Sequence, residues 1–306
     1  MKFIWSKAAL VVSVMLTAAM AGSMTAHAQA PRAYQFVLAA FGVNQGWQVN
    51  AHPRMLADIT GDGRADIVGM GNAGVYTAVA LGNGGFAAPQ FVLAGFGVNQ
   101  GWQVNSHPRM LADITGDQRA DIVGMGNAGV YTAVALGNGG FAPPQFVQSA
   151  FGVNQGWQVN SHPRILADIT GDQRADIVGM GNAGVYTAVA LGNGGFAPPQ
   201  FVQSAFGVNQ GWQVNSHPRI LADITGDQRA DIVGMGNAGV YTAVALGNGG
   251  FAAPQFVLSA FGVNQGWQVN LHPRMLADIT GDQRADIVGM GNAGVYTAPA
   301  LGNGDF

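Results

Sequence analysis

Beyond Tyr34, the apolar positions fall in short runs rather than in helical stripes. "QFVLAAF" begins at Gln35, "RMLADI" at Arg54, "ADIVGMG" at Ala65 and "GVYTAVAL" at Gly74. Each is rich in Val, Ile, Phe or Tyr, and each is bounded by "GVNQG", "TGDG", "GNAG" or "GNGG". This is the pattern of strands joined by turns. In "GVYTAVAL", Val75, Thr77, Val79 and Leu81 share one face, and Tyr76, Ala78 and Ala80 share the other. Neither face carries a charge. A sheet covered on one side only would alternate apolar with charged residues, so these strands are predicted to be sandwiched between layers.

The whole pattern recurs. Trp47, Trp102, Trp157, Trp212 and Trp267 mark an even period, and the copies run 35–89, 90–144, 145–199, 200–254 and 255–306. The third and fourth copies differ only at Pro198 against Ala253. Four short strands in each copy are the arithmetic of a propeller blade. The fold expected is therefore all-β, a β-propeller of five four-stranded blades. The first copy opens on "QFVLAAF" and the last stops before a further version of it. The N-terminal strand is thus expected to complete the C-terminal blade and close the ring, removing exposed edges. Leu38 and Leu93 become Gln148 and Gln203 in later copies, which suggests an exposed outer-strand position.

Residues 1–28 read differently. Lys2 and Lys7 precede an apolar run, and "AHA" ends at Ala28. This predicts a secretory signal peptide, a short leader over 29–34 and a propeller over 35–306. The apolar run is too short for a membrane span, so export to the periplasm or the extracellular space is expected.

Charge then changes the picture. Only 9% of residues are charged; Glu is absent, and the 16 acidic residues are all Asp. The net charge of −3 offers no basic stripe for nucleic acid. Cys is absent, so the fold cannot use disulfides. Almost all of the charge lies in the five versions of "HPRMLADITGDGRADIVGMG".

The stretch "GWQVNAHPRMLADITGDGRADIVGMGNAGVYTAVALGNGGF" resembles FG-GAP/VCBS repeats, and more closely the blade of the Psathyrella velutina lectin family. The shared pattern is F-G, G-W, H-P-R, L-A-D, G-D-G-R-A-D-I-V-G and G-V-Y, across nearly all of 35–306. The resemblance implies a secreted sugar-binding propeller, with pockets between blades and ligands of the N-acetylglucosamine type. That family is typically seven-bladed, whereas this chain has five copies.

Two constellations carry the candidate chemistry. In "DITGDGRAD", Asp58, Thr60, Asp62 and Asp66 have the alternating oxygen spacing of a calcium loop. The later copies supply Asp113, Asp117 and Asp121; Asp168, Asp172 and Asp176; Asp223, Asp227 and Asp231; and Asp278, Asp282 and Asp286. Gly63 is replaced there by Gln118, Gln173, Gln228 and Gln283. These would need a left-handed backbone at a cost of about 1 kcal/mol. The alternative is a metal-free turn in which Asp and Thr bind backbone amides. In the first case the calcium would be structural.

The second constellation is "GWQVNAHPR". Trp47, Asn50, His52 and Arg54 combine an aromatic face with planar polar groups, which is what sugar recognition requires. The corresponding residues are Trp102, Asn105, His107 and Arg109; Trp157, Asn160, His162 and Arg164; Trp212, Asn215, His217 and Arg219; and Trp267, Asn270, His272 and Arg274. The competing reading packs the Trp between blades and pairs the Arg with an Asp. In "GMGNAGVY", Asn72 reads as a turn residue or a pocket wall, and Tyr76 as core between blades.

Five near-identical copies fit a multivalent lectin better than an enzyme, which needs one site with differentiated roles. With Cys and Glu absent, no catalytic residues are assigned. Glycans or glycoproteins are the expected partners, oligomers are compatible with the pattern, and an integrin-like propeller for protein adhesion is the alternative.

Overall fold

The computed structural model describes residues 34–306, so the proposed signal peptide and most of the leader lie outside the described residues. Among the described residues nineteen strands form five antiparallel sheets. The first blade is β1 (Arg54–Ala57), β2 (Asp66–Met70), β3 (Val75–Ala78) and β4 (Gln90–Leu93). The second is β5 (Arg109–Ala112), β6 (Asp121–Met125), β7 (Val130–Ala133) and β8 (Gln145–Gln148). The third is β9 (Arg164–Ala167), β10 (Asp176–Met180), β11 (Val185–Ala188) and β12 (Gln200–Gln203). The fourth is β13 (Arg219–Ala222), β14 (Asp231–Met235), β15 (Val240–Ala243) and β16 (Gln255–Leu258). The fifth has three strands, β17 (Arg274–Ala277), β18 (Asp286–Gly291) and β19 (Gly294–Ala298). Among the described residues no helix is long and apolar enough to cross a membrane.

Strand order follows chain order in every sheet, as short turns dictate. In the first blade Arg54 pairs with Gly69 and Ala57 with Asp66, Ile67 with Ala78, and Thr77 with Gln90. A bulge between Val75 and Tyr76 shifts the outer strand. The first strands of successive blades lie against one another, β1 on β5, β5 on β9, β9 on β13 and β13 on β17, so the strand after "HPR" is innermost.

The core lies between blades, as the uncharged strand faces predicted. Ile59, Val68, Met70 and Val75 of the first blade are fully buried against Leu111, Ile122, Ala133, Ala135 and Phe141 of the second. The same interface recurs three more times. At ~25 cal/mol per Å² of apolar surface, such burial is the main stabilising contribution available to a chain without disulfides.

Each seam is also hydrogen-bonded. Thr77 Oγ1 donates to the carbonyl of Gly139 at 2.8 Å, and Ala120 N–H donates to the carbonyl of Asp58 at 2.8 Å. Val98 and Asn99 N–H donate to the carbonyls of Gly71 and Asn72, at 3.1 and 2.9 Å, tying the short 3-10 turn Val98–Gln100 to the preceding blade.

Two expectations are corrected here. The fourth strand of the last blade is missing, because residues 35–41 form no strand and Phe36 is 84% exposed. The expected ring closure is therefore not shown: among the described residues the last sheet ends at β19, with no fourth strand paired to it. Position 148 is also not an exposed outer site. Gln148 is half-buried, and its Nε2 donates across the seam to the carbonyl of Ala197 at 2.8 Å, as Gln203 does to Ala252 at 2.7 Å. Leu93, at the same position, is buried.

Candidate functional site

The blades have two ends with different chemistry. At one, the β1–β2 turn carries the aspartates. At the other, the β2–β3 turn meets the segment that carries Trp, Asn and His.

The aspartate turn is held by backbone amides. Asp58 Oδ1 accepts from Thr60 and Gly61 N–H at 3.0 and 2.7 Å, and Oδ2 accepts from Gly63 N–H at 2.7 Å. Burial alone would raise the Asp58 carboxyl, but these bonds together hold it below its usual range, because they favour the charged form. Asp66 is fully buried and accepts from Ile59 and Ala80 N–H at 3.1 and 2.7 Å. Asp62 pairs with Arg64, whose Nε donates to the carbonyl of Ala80 at 3.3 Å. The Thr60 hydroxyl lies between the first and last of these carboxylates, 3.2 Å from Asp58 Oδ1 and 3.4 Å from Asp66 Oδ2. Among the described residues no three His or Asp side chains are grouped to hold a metal. In this arrangement the carboxylates serve as acceptors for the turn's own amides, as in the amide-bound alternative.

Gly63 has φ 79°, and Gln118, Gln173, Gln228 and Gln283 take φ of 67°, 67°, 66° and 68° in the same place. The left-handed backbone is therefore kept without glycine, because it aims this residue's N–H at the first Asp; in the second copy Gln118 N–H donates to Asp113 Oδ2 at 2.7 Å.

At the opposite end, the aromatic residues form a stack within each blade. Trp47 lies 5.0 Å from Phe41, 5.6 Å from His52 and 5.8 Å from Tyr76, ring centre to ring centre, and Tyr76 continues to Phe91 at 5.2 Å. Gly69 makes room for it, since a Cβ there would meet Trp47 at 2.6 Å and Phe41 at 2.8 Å. Trp102 and Trp267 are 9% exposed, and Trp47, Trp157 and Trp212 are half-buried.

His52 is buried and its two nitrogens have fixed roles. Nδ1 accepts from Gln48 N–H at 3.0 Å, and Nε2 lies 2.9 Å from Asn72 Oδ1. The proton of the neutral ring therefore sits on Nε2, which donates to the Asn72 oxygen. The same pair joins His107 to Asn127, His162 to Asn182, His217 to Asn237 and His272 to Asn292. The Asn side chains are exposed. With Oδ1 held by the imidazole, the Nδ2 donors of Asn72 are oriented outward from the blade. Asn50 and its four equivalents are exposed in the same loop cluster.

Arg109, Arg164, Arg219 and Arg274 are buried, and burial lowers their guanidinium pKa to about 10. They do not pair with Asp. Arg109 Nη1 donates to the carbonyl of Phe96 at 2.8 Å, and the guanidinium sits 6.0 Å from the Trp102 ring. Phe96 is 1% exposed and its backbone is left-handed, as it is at Phe41, Phe151, Phe206 and Phe261. That conformation is rare for a bulky residue. The buried cation thus binds the carbonyl of a strained backbone.

Of the four residues proposed for ligand contact in each copy, the structure turns Trp, His and Arg into the blade and leaves Asn facing solvent. Sequence reasoning gave Asn72 mainly a turn role. The signal that could have raised it is its constant offset from the histidine, which is the same in every copy.

No family model matches the chain, and no curated protein matches it. Among solved structures, an Agrocybe aegerita lectin that recognises non-reducing terminal N-acetylglucosamine is 44% identical, with a TM-score of 0.87 over 89% of this chain and 68% of that one. The chain belongs to this lectin family. The Photorhabdus luminescens Tc holotoxin pore shares the fold, at 20% identity and a TM-score of 0.56, over 82% of this chain and 11% of that one. In family terms the five blades are lectin repeats, and the end bearing Trp, His and Asn is their polar, aromatic-lined end.

Proposed function

We propose that the protein is a secreted, multivalent lectin that binds terminal N-acetylglucosamine or a closely related sugar. The observation that carries this reading is the 44% identity, over 89% of the chain, to a lectin that recognises that terminus. The site favoured is the cluster of Asn50, the oriented amide of Asn72 and the rim of Trp47, with its four counterparts. In this reading Asn72 Nδ2 donates to a sugar hydroxyl or to an acetamido carbonyl, and His52 sets the amide's orientation without touching the ligand. In the copies where the Trp is half-buried, its exposed part offers an apolar contact to the pyranose. Repetition raises weak single-site binding by avidity, by roughly 10²–10⁴ where several sites engage one surface. Export rests on the signal peptide read in residues 1–28.

The test is a glycan array on the full chain. Binding to terminal N-acetylglucosamine, competed by the free sugar, is the expected result. Asn→Asp at 72, 127, 182, 237 and 292 keeps an acceptor for each histidine and removes the outward donors. It should lower binding by roughly 10-fold or more, the worth of a lost hydrogen bond at each site, with the melting temperature nearly unchanged. A chain that binds no glycan at multivalent surface densities would overturn the reading.

A further inference from the structure

The four seams within the chain define what a seam requires, and each end of the arc holds half of one more. At the C-terminal end, Ile279, Met290 and Val295 are 51%, 44% and 65% exposed, although their equivalents Ile59, Met70 and Val75 are 0% exposed. At the N-terminal end, Leu56 is 66% exposed, whereas Leu111 and Leu166 are 9% and 3%. An exposed apolar face of this kind on a soluble protein marks an interaction surface.

The polar groups match in the same way. Thr242 Oγ1 donates to the carbonyl of Gly304 at the fourth seam, but Thr297 is exposed and Gly84 is exposed, although Gly139, Gly194, Gly249 and Gly304 are all buried. The carbonyl of Asp223 accepts from Ala285 N–H at 2.7 Å, which leaves the carbonyl of Asp278 and the N–H of Ala65 as the corresponding pair. The third match is backbone. Moved by whole repeats, the pairing of Thr77 with Gln90 and Tyr76 with Phe91 becomes Thr297 with Gln35 and Tyr296 with Phe36. The blade lacking a strand and the strand lacking a blade therefore occupy opposite ends of one chain.

We infer that a second copy of the chain docks head to tail on the first. Its N-terminal segment supplies the fourth strand beside β19, and its first blade covers Ile279, Met290 and Val295. A second copy is favoured over self-closure by the shape of the arc. The five blades superpose at a TM-score of 0.87 on a lectin of which they span 68%, so their curvature is that of a longer array. Closing five blades on themselves would alter all four internal seams, whereas a docked copy adds a fifth of the same geometry. Such a contact is heterologous, and because the added seam keeps the curvature of the others, its repetition continues as an open spiral rather than a larger closed ring. The new seam also sets Asn292 of one copy beside the 3-10 turn Val43–Gln45 of the next, as Asn72 lies beside Asn99. One sugar-binding end per chain is completed only in the assembly, a consequence that rests on the lectin reading, whereas the docking itself does not.

The chain has no cysteine, which makes the test direct. Gln35→Cys and Thr297→Cys are placed in separate chains, mixed and oxidised mildly. A cross-linked pair of two chains, formed in the mixture in excess of either variant alone, is the expected result. Both substitutions placed in one chain should likewise cross-link between chains. A bond within a single chain at every concentration would show closure of the ring on itself, and no bond in either format would show that the ends do not meet; both overturn the proposal. Sedimentation gives the second readout. The wild type should exceed the mass of one chain at high protein concentration, and Val295→Glu, at an exposed position of the single chain, should return it to that mass with its circular dichroism spectrum unchanged. A wild type that is monomeric throughout, or an assembly untouched by Val295→Glu, would equally overturn the proposal. Neither readout involves sugar, so its failure is distinct from a failure to bind glycans.

Discussion

The position shared by Gly63 and four glutamines isolates a backbone effect from its surroundings. The left-handed φ is kept in all five copies, as is the bond from this residue's N–H to the first Asp of the turn. Gln118→Gly should therefore stabilise its blade by several tenths to about 1 kcal/mol, and Gly63→Gln should cost a similar amount, measured by chemical denaturation. The buried aspartates give a second test. Burial pushes Asp121, Asp176 and Asp231 up to about 6, against the lowering effect of two backbone hydrogen bonds each. A folded pKa above the unfolded value means that the folded state binds the proton more tightly. That stabilisation is complete below about pH 4 and is lost as pH rises through 6. Unfolding free energy should thus be higher at pH 4.5 than at pH 7, by on the order of 1 kcal/mol per site. Asp58 and Asp278, held low by backbone amides, oppose the gain at still lower pH. The left-handed glutamine was legible in the sequence, because the repeat aligned it with a glycine. The left-handed Phe41 was not, since nothing in "FGVNQG" distinguishes a buried strained aromatic from an ordinary strand end.

At the scale of the element, the aspartate turn acts as a brace between two strands. Asp58 organises the turn itself, while Asp66 reaches from β2 to the segment after β3 through Ala80. Asp113→Ala should destabilise by about 2 kcal/mol, since it leaves several amides without their acceptor; denaturant titration of the variant checks this. Addition of EDTA should leave the melting temperature of the wild type unchanged; a fall of several degrees would place metal in the turns. The four strands of each complete blade were legible from alternation and period. The donors that each aspartate meets were not, because spacing places oxygens along the chain without saying which amides they will meet. The histidine was hidden for a similar reason: its bond to Asn72 joins two turns that the sequence separates by two strands.

At the scale of the whole molecule, stability is a sum over seams between neighbours. The three central blades are covered on both faces and the terminal ones on one. Hydrogen exchange should be slowest in β6, β10 and β14 and faster in β18 and β19, and protection of β18 and β19 should rise with protein concentration as the ends become covered. The repeat count was legible at once, and closure was the natural expectation from it. What the period could not convey was curvature, which depends on how each pair of sheets is set against the next.

The Thr–Gly bond across each seam always runs from one repeat into the next, at the same separation along the chain. No seam refers to the chain's total length. Loss or gain of one whole repeat by unequal recombination would leave both end surfaces and every remaining seam as they are. Repeat number is thus a heritable count, adjustable in a single genetic event without any change to a blade.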